Sequence, residues 1–144
     1  MALAVLMTLL GGGAGANPAP GLAAEEAVLA QLDLLQAAGT EPEAQQIEGV
    51  WAFAHPENRA RTGPPERFLA MLRSPAYAPL LGHRARTIEP IAEDELGAGF
   101  LVTVEGADGA LAVYAWFLIR GDRASCYGCW LTAAVAREAL PPSI

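Results

Sequence analysis

The first part of the chain repeats apolar residues at helical spacing. Residues 25–38, residues from about 42 to 54, and a segment that opens at Pro64 each place apolar side chains on one face, which predicts three amphipathic helices. Their apolar faces are Val28, Leu29, Leu32 and Leu35; Ile47, Val50, Trp51 and Ala54; and Phe68, Leu69 and Leu72. On the first helix, the polar face opposite is assigned to Glu25, Gln31 and Asp33.

Prolines set the expected ends of these helices. Pro56 predicts the end of the second helix, because the residue before a proline avoids the helical backbone region. The polar stretch from His55 to Pro64 is then expected to be a loop. Ser74-Pro75 ends the third helix, and residues 77–81 are expected to form a short extra turn on the core.

From about residue 84 the pattern becomes extended. Strands are predicted over 84–92, 100–105, 111–120 and 125–135. Asp108-Gly109 marks a hairpin turn, and Pro90 favours an edge position for the first strand because proline cannot donate to a ladder. Helices followed by a meander predict an α+β fold, with N-terminal helices packed on a curved antiparallel sheet of about four strands.

The N-terminus is set apart by its composition. Residues 2–10 are an apolar run, and no charged side chain precedes Glu25. The run is too short to cross a bilayer, which needs about 20 residues, but it fits a signal-peptide core ahead of a cleavage site at Ala16 or Ala23. We therefore assign 1–23 to a removable leader, 24–138 to a single α+β domain and 139–144 to a C-terminal tail.

The leader predicts export or organelle import, to the periplasm, the cell exterior or the thylakoid lumen. Secretory signals begin with a basic stretch, whereas the first arginine here is Arg59. A misassigned start and the second half of a bipartite lumen signal both fit this pattern. The alternative is an apolar N-terminus with no targeting role. In every case we expect no integral membrane span in the mature chain.

Charge argues against nucleic-acid partners. The formal net charge is −7, and the basic residues are nine scattered arginines that form no stripe. An acidic surface repels the phosphate backbone and anionic lipids. We therefore expect neither nucleic acid nor an anionic membrane surface as a partner.

Several motifs occur in order along the chain. They are Trp51-Ala-Phe-Ala-His-Pro-Glu-Asn-Arg59, Thr62-Gly-Pro64, Glu66-Arg67-Phe68, Ser74-Pro75-x-Tyr77-x-x-Leu80-Leu81, Tyr114-x-Trp116 and Gly128-Cys129-Trp130. As a set they resemble the family called domain of unknown function 4864, over about residues 26–136. The resemblance implies a cystatin-like fold, similar to the cone of nuclear transport factor 2, and implies no reaction, cofactor or catalytic residue. Related sequences carry Thr-Asp-Gly after the final tryptophan, where this chain has residues 131–134.

Two polar residues of the first motif are candidate ligand contacts. Asn58 and Arg59, beside Trp51, can line a pocket mouth and hold a carboxylate. The structural alternative is that Asn58 caps a turn and Arg59 pairs with an acid of the following helix.

Three aromatic residues of the sheet are further candidates. Tyr114 and Trp116 share one strand face, and Trp130 can join them across the last hairpin. Alternating aromatics on a half-buried sheet usually belong to the core. In a cone, however, one sheet face lines a cavity that can take an apolar ligand.

Cys126 and Cys129 form a C-x-x-C motif within a predicted strand, where no helix N-terminus activates a thiol. Positions i and i+3 of a strand point to opposite faces, so a disulfide needs a bulge or turn at Gly128. Two partly buried thiols are the favoured interpretation. An oxidising compartment would favour a disulfide instead.

Metal, nucleophilic and acid–base sites have little support. Zinc needs about four ligands, and His55 and His83 lack ligand spacing. Residues 93–95 are consecutive acids, typical of a solvated loop, and no serine has an evident base beside it. We assign no metal, no cofactor and no catalytic residue.

The sequence favours a non-catalytic module that binds a small apolar molecule or a protein partner, with a homodimer left open. One alternative is an isomerase or hydrolase of the kind found on similar cones, with Arg59 or Tyr114 polarising the substrate. Another is a thiol-redox protein that uses Cys126 and Cys129. Two titratable groups that face each other in a cavity would favour an enzyme, and an apolar interior would favour the binding module.

Overall fold

The computed structural model describes residues 17–140 as four α-helices followed by a four-stranded sheet. The elements are α1 (Ala24–Ala38), α2 (Ala44–Trp51), α3 (Pro56–Thr62), α4 (Pro65–Leu72), a 3-10 turn (Ala78–Leu80), β1 (Ala85–Glu93), β2 (Gly97–Glu105), β3 (Leu111–Arg120) and β4 (Trp130–Glu138). Helices that precede an antiparallel meander confirm the predicted α+β class.

The first helix, α1, begins within one residue of its predicted start. The Glu26 carboxylate accepts the backbone N–H of Ala23 at 3.0 Å, which satisfies one donor that the first turn leaves free. Gly39 ends the helix at φ +75°, a conformation that glycine adopts without steric cost.

The second helix is shorter than predicted, because the chain leaves it to bond the sheet. Helix α2 ends at Trp51 rather than near residue 54. The N–H of Thr132 donates to the Phe53 carbonyl at 2.7 Å, and the N–H of His55 donates to the Thr132 carbonyl at 2.8 Å. These two hydrogen bonds form a short parallel bridge between the helical layer and β4; we call it the 53–55 bridge.

The predicted loop over 55–64 is wrong, since most of it is helix α3. The His55 Nδ1 atom accepts the N–H of Glu57 at 3.2 Å and caps the first turn. Pro56 occupies the first helical position, where its missing N–H costs nothing and its fixed φ suits a helix. Gly63 closes the helix at φ +76°. Pro56 thus begins a helix as well as stopping the one before it.

The sheet has the order β1–β2–β3–β4, with antiparallel neighbours throughout. Strand β1 lies at an edge, as Pro90 predicts, and the register shifts between Pro90 and Ala92. Strand β3 has the predicted bounds, and β2 begins three residues earlier than predicted.

The predicted start of the last strand is wrong. Strand β4 begins at Trp130 rather than Ser125 and runs on to Glu138. Before it, the Gly128 N–H donates to the Gly121 carbonyl at 3.0 Å within a tight turn. Gly128 has φ +76° there, which an extended strand cannot contain.

The core lies between the helices and one face of the sheet. Alternate residues of β2 and β3 point into it, because successive side chains of a strand face opposite sides. Its buried members include Val28, Leu32, Leu35 and Ile47 from the helices, and Phe100, Val102, Tyr114, Trp116 and Leu118 from the sheet. The opposite sheet face has no helix against it among the described residues.

The segment before α1 contacts the domain. Leu22 packs against the core, and the Pro18 carbonyl lies 3.9 Å from the Cys126 Sγ atom. Of the predicted leader, residues 1–16, with the cleavage site at Ala16, lie outside the described residues. Cleavage after Ala23 would remove Leu22 from the core. Across residues 17–140, no helix combines the length and apolar character needed to cross a membrane.

A buried histidine joins the sheet to α1. His83 is 1% exposed. Its Nδ1 atom lies 2.8 Å from the Leu80 carbonyl oxygen, and its Nε2 atom lies 3.4 Å from the Arg86 Nη1 atom. Arg86 also pairs with the Asp33 carboxylate on α1. Burial lowers the pKa of His83, aided by the charge of Arg86, while the Leu80 carbonyl and Asp33 oppose the shift.

We expect acid to destabilise the protein through His83. Its pKa is lower in the folded than in the unfolded state, so the unfolded chain binds the proton more tightly. The contribution to stability is complete above about pH 6.5, the usual histidine value, and is lost as the pH falls below it. Denaturant unfolding from pH 7.5 to 5 should show a smaller loss in His83→Asn than in the wild type. If the free energy of unfolding fell equally between pH 7.5 and 5 in both proteins, this role of His83 would be contradicted.

Candidate functional site

A cavity of about 200 Å³ lies between the helices and β4. Its wall is mostly apolar and comes from α1, α2, α4, the 3-10 turn and the last two strands. The largest apolar side chains in the wall are Leu35, Val50, Phe68, Leu72, Leu80 and Trp116. A preformed apolar cavity with a few polar groups is the usual form of a small-molecule site.

The mouth of the cavity opens beside α3. That helix contributes Asn58, Arg61 and Thr62, and Met71 and Tyr77 line the cavity as well. Each of the five is partly or fully exposed. These five residues form part of the exposed wall of the cavity.

Two side chains at the mouth also donate hydrogen bonds to backbone carbonyls on the outer edge of β4. The Asn58 Nδ2 atom donates to the Thr132 carbonyl at 3.3 Å, and the Tyr77 hydroxyl donates to the Val135 carbonyl at 2.8 Å. Asn58 therefore bonds the sheet edge, where the sequence interpretation gave it a turn cap or a ligand contact.

A chain of buried hydrogen bonds crosses one wall of the cavity. The Trp116 indole N–H donates to the Thr132 hydroxyl at 3.1 Å, which in turn donates to the Gln31 Oε1 atom at 3.0 Å. The Gln31 Nε2 atom donates to the Ala27 carbonyl at 3.0 Å. A primary amide carries two hydrogens, and the bonds among the described residues use one of them. Gln31 lines the cavity, and its second amide hydrogen has no partner among the described residues.

The described wall of this cavity contains few groups that could act as a general acid or base. The described residues of the wall include no carboxylate, imidazole or thiol. Arg61 is the charged side chain among them, and its Nη2 atom donates to the Ala133 carbonyl at 3.4 Å. The hydroxyl of Tyr77 is engaged at the sheet edge.

Trp51 and Arg59 stack on each other outside the cavity. The Arg59 guanidinium carbon lies 4.2 Å from the centre of the indole ring, and its Nη2 atom donates to the Ala52 carbonyl at 2.9 Å. The Trp51 N–H donates to the Gly63 carbonyl at 3.0 Å. These contacts fold α3 back onto the end of α2.

The expected ion pair of Arg59 with an acid of the next helix is wrong. Within residues 17–140 the guanidinium makes no salt bridge, and its buried Nε atom has no hydrogen-bond partner. Burial lowers the pKa of Arg59. Arg59 lines a separate shallow pocket with Pro18 and Ser125, so it does not share a site with Asn58.

Tyr114 belongs to the core rather than to the cavity wall. It is fully buried, and its hydroxyl donates to the Ala76 carbonyl at 2.7 Å. Its ring stacks near that of Tyr77, with centres 6.0 Å apart. Burial raises the pKa of Tyr114, and the nearby Arg137 opposes the shift.

Trp130 is also a core residue. It lies on the helix-facing side of the sheet with Tyr114 and Trp116, as the alternation predicts. The Arg120 guanidinium carbon sits 4.0 Å from the centre of its ring and an Nη1–H donates to the Gly128 carbonyl at 2.8 Å. Of the three sheet aromatics, Trp116 lines the cavity.

Cys126 and Cys129 are joined in a disulfide, so the favoured prediction of two thiols is wrong. The turn at Gly128 brings their Cα atoms to 5.4 Å, within the range that disulfides span. Cys129 is fully buried and Cys126 is half-buried. The strand assignment caused the error, because it put the two side chains on opposite faces.

His55 and Asp94, which lie outside the cavity, each accept hydrogen bonds from nearby backbone N–H groups. His55 caps α3, and the Asp94 carboxylate accepts the N–H groups of Leu96 and Gly97 at 2.9 Å each. These bonds hold the pKa of Asp94 below its usual range. Among residues 17–140 no cluster of three or more histidine, cysteine or acidic side chains could hold a metal ion.

Comparisons with protein-family models, curated proteins and solved structures found no match to this chain. The resemblance to the domain of unknown function 4864 family, and the cystatin-like cone that it implies, therefore stay predictions.

The sequence did not identify two polar residues of the cavity wall, Gln31 and Thr132. The assignment of Gln31 to the polar face of α1 is wrong, since only 2% of it is exposed. Its position carried a signal, because it follows Val28 by three residues and precedes Leu35 by four, on the apolar side of the helix. Thr132 gave no comparable signal, since its partner in α1 lies 101 residues away.

We expect Thr132→Val to destabilise the protein. The substitution keeps the shape but leaves the Trp116 N–H and the Gln31 carbonyl oxygen buried without a partner, at a cost of about 1–3 kcal/mol. Denaturant unfolding measures the change. Thr87→Val is the matched control on an exposed position of β1, expected to stay within about 0.5 kcal/mol of the wild type. Equal stability of the two variants would contradict the role of the hydroxyl.

Proposed function

We propose that this protein is a non-catalytic module that binds a small apolar molecule in the cavity between its helices and β4. The observation that carries the proposal is the preformed apolar cavity, whose wall among the described residues lacks carboxylates and imidazoles. The order of helices and strands is compatible with membership of the domain of unknown function 4864 family and with a cystatin-like cone, which we retain as part of the proposal.

The cavity volume limits the ligand. A dry apolar cavity of about 150 Å³ is known to hold benzene, whereas drug-sized ligands occupy about 300–1,000 Å³. A cavity of about 200 Å³ therefore suits a single ring or a short aliphatic chain. Larger cofactors such as nucleotides would not fit within it.

Polar groups suggest how the ligand is oriented. Gln31 offers one amide hydrogen in the wall, and Arg61 lies at the mouth. A molecule with an apolar body and one hydrogen-bond acceptor would match this distribution. The rest of the wall stabilises it by burial, which contributes about 25 cal/mol per Å² of apolar surface.

The same wall argues for binding rather than for the isomerase or hydrolase alternative. General acid–base catalysis needs a titratable group within hydrogen-bond reach of the reacting atom. Arg59 and Tyr114, the residues that the enzyme hypothesis requires, are absent from the described wall. Export or organelle import remains part of the proposal, and the Cys126–Cys129 disulfide supports it, because disulfides persist in oxidising compartments.

Benzene is a suitable probe of the cavity. We expect saturating benzene to raise the melting temperature of the wild type by about 3–5 °C. Val50→Phe, which fills the cavity, should abolish the rise, whereas Leu111→Phe, on the exposed sheet face, should preserve it. Circular dichroism checks that both variants fold.

Two results would overturn the proposal. No melting shift in the wild type or in Leu111→Phe would mean that the cavity does not accept apolar molecules. Native mass spectrometry of protein purified from its own host should recover a small apolar ligand, and repeated recovery of empty protein would count against a binding module.

Thiol–disulfide exchange is a second candidate, favoured by the half-buried Cys126 in its disulfide. A thiolate of a dithiol substrate would attack the Cys126 Sγ atom, and the S–S bond would break with its electron pair passing to Cys129. The second substrate thiolate would then displace Cys126. The substrate leaves as a disulfide and the protein as a dithiol, so atoms and electrons balance.

Redox titration separates this candidate from a structural disulfide. We expect the bond to stay oxidised in glutathione buffers between about −180 and −270 mV, as structural disulfides do. Alkylation followed by mass measurement reads the state, with Cys129→Ser as the reference for a free Cys126. Half-reduction within that range would instead support thiol–disulfide exchange.

A further inference from the structure

The sheet face that points away from the helices is largely apolar, and no helix covers it among the described residues. A shallow groove of about 690 Å³ runs across it, lined by Leu101, Leu111, Val113, Ala115 and Phe117 and, after β4, by Ala139 and Leu140. Large side chains in this region are unusually exposed, with Leu111 at 53% and Phe117 at 43%. We call this surface the outer face.

The sequence of β3 is that of a strand buried on both sides. Residues 111–119 are all apolar apart from the hydroxyl of Tyr114, whereas a strand with one solvated face normally alternates apolar and polar residues. The helices bury the even-numbered positions. The odd-numbered positions have the same composition and no helix against them: Val113 and Ala115 are buried among their neighbours, whereas Leu111 and Phe117 are exposed.

We propose that the outer face is the interface of a homodimer, covered by the outer face of a second copy of this chain. The inference is independent of the apolar cavity and of any ligand in it. A two-fold axis would place the same patch on both subunits, as in most homodimers.

The relief of the face favours packing against itself. Phe117 is 43% exposed, and its ring occupies the space above Gly99, where a Cβ atom would approach it to 3.3 Å. Nearby Ala134 and Ala136 are small side chains on the same face. Large residues beside small ones let two layers interdigitate, and stacked sheets pack about 10 Å apart.

The area is sufficient for a weak dimer. The strands are nine or ten residues long; at about 4.8 Å between strands and 3.4 Å per residue, the face covers about 600 Å². Stable complexes bury about 800 Å² per partner, and transient ones about 600 Å² or less. We therefore expect weak association that depends on protein concentration.

The acidic charge of the chain predicts how the dimer responds to salt. The centre of the face is uncharged, and its rim carries Glu89, Glu105 and Glu138. Each copy also has a net charge of −7. Salt screens the repulsion between two acidic copies, so the dimer should strengthen with ionic strength, opposite to an interface built on ion pairs.

Sedimentation equilibrium of the full chain tests the proposal over a range of protein concentrations, at about 0.02 M and about 0.3 M salt. We expect a mass of twice the 15.0 kDa chain at high concentration, reached sooner at the higher salt. Phe117→Glu and Leu111→Glu should each weaken association at least about tenfold. Tyr127→Glu, at an exposed aromatic in the turn before β4, is the matched control and should dimerise normally.

The outcomes are decisive in either direction. Circular dichroism and retained benzene binding identify variants that are folded, so a failure of the dimer is distinguishable from a failure of the cavity. A wild type that stays monomeric at all concentrations and both salts overturns the proposal, whether the face then holds the chain's own tail or another molecule. Association that persists unchanged in both glutamate variants overturns it too.

Discussion

The 53–55 bridge is the contact on which the rest of the structure depends. Two backbone hydrogen bonds, at 2.7 and 2.8 Å, fix Thr132 against the chain between α2 and α3. They end one helix, orient the cap of the next, and anchor an edge strand that would otherwise have unpaired donors and acceptors. They also fix the backbone from which the Thr132 hydroxyl reaches into the core, between Trp116 and Gln31.

The sequence predicted most of the fold because local patterns determine most of it. Helix α1 has a regular helical period, β3 is an unbroken apolar run of strand length, and Pro90 favours an edge position for β1. The errors occur where a single residue changes the local structure. Pro56 stops one helix and starts another, and only the His55 cap and the following Gly63 distinguish a helix there from a loop. Gly128 likewise interrupts an apolar run that otherwise suits a strand.

The candidate site was less predictable, because its members meet only through the tertiary structure. Sequence identified Asn58 and Trp116 as chemically suitable, and both line the cavity. It also paired Asn58 with Arg59, yet adjacent helical residues point in different directions, and these two line different pockets. The Thr132–Gln31 contact joins positions 101 residues apart, and no local pattern encodes such a partner.

The two edges of the sheet are protected to different degrees. On the outer edge of β4, the 53–55 bridge and the side chains of Asn58 and Tyr77 occupy backbone groups. On β1, Pro90 lacks an N–H and the register shifts beside it, which interrupts a regular edge. Exposed edges are the templates from which fibrils grow by strand addition. A chain with an apolar sheet therefore limits, at β4 through the helical layer and at β1 through Pro90, the backbone that could support open-ended polymerisation.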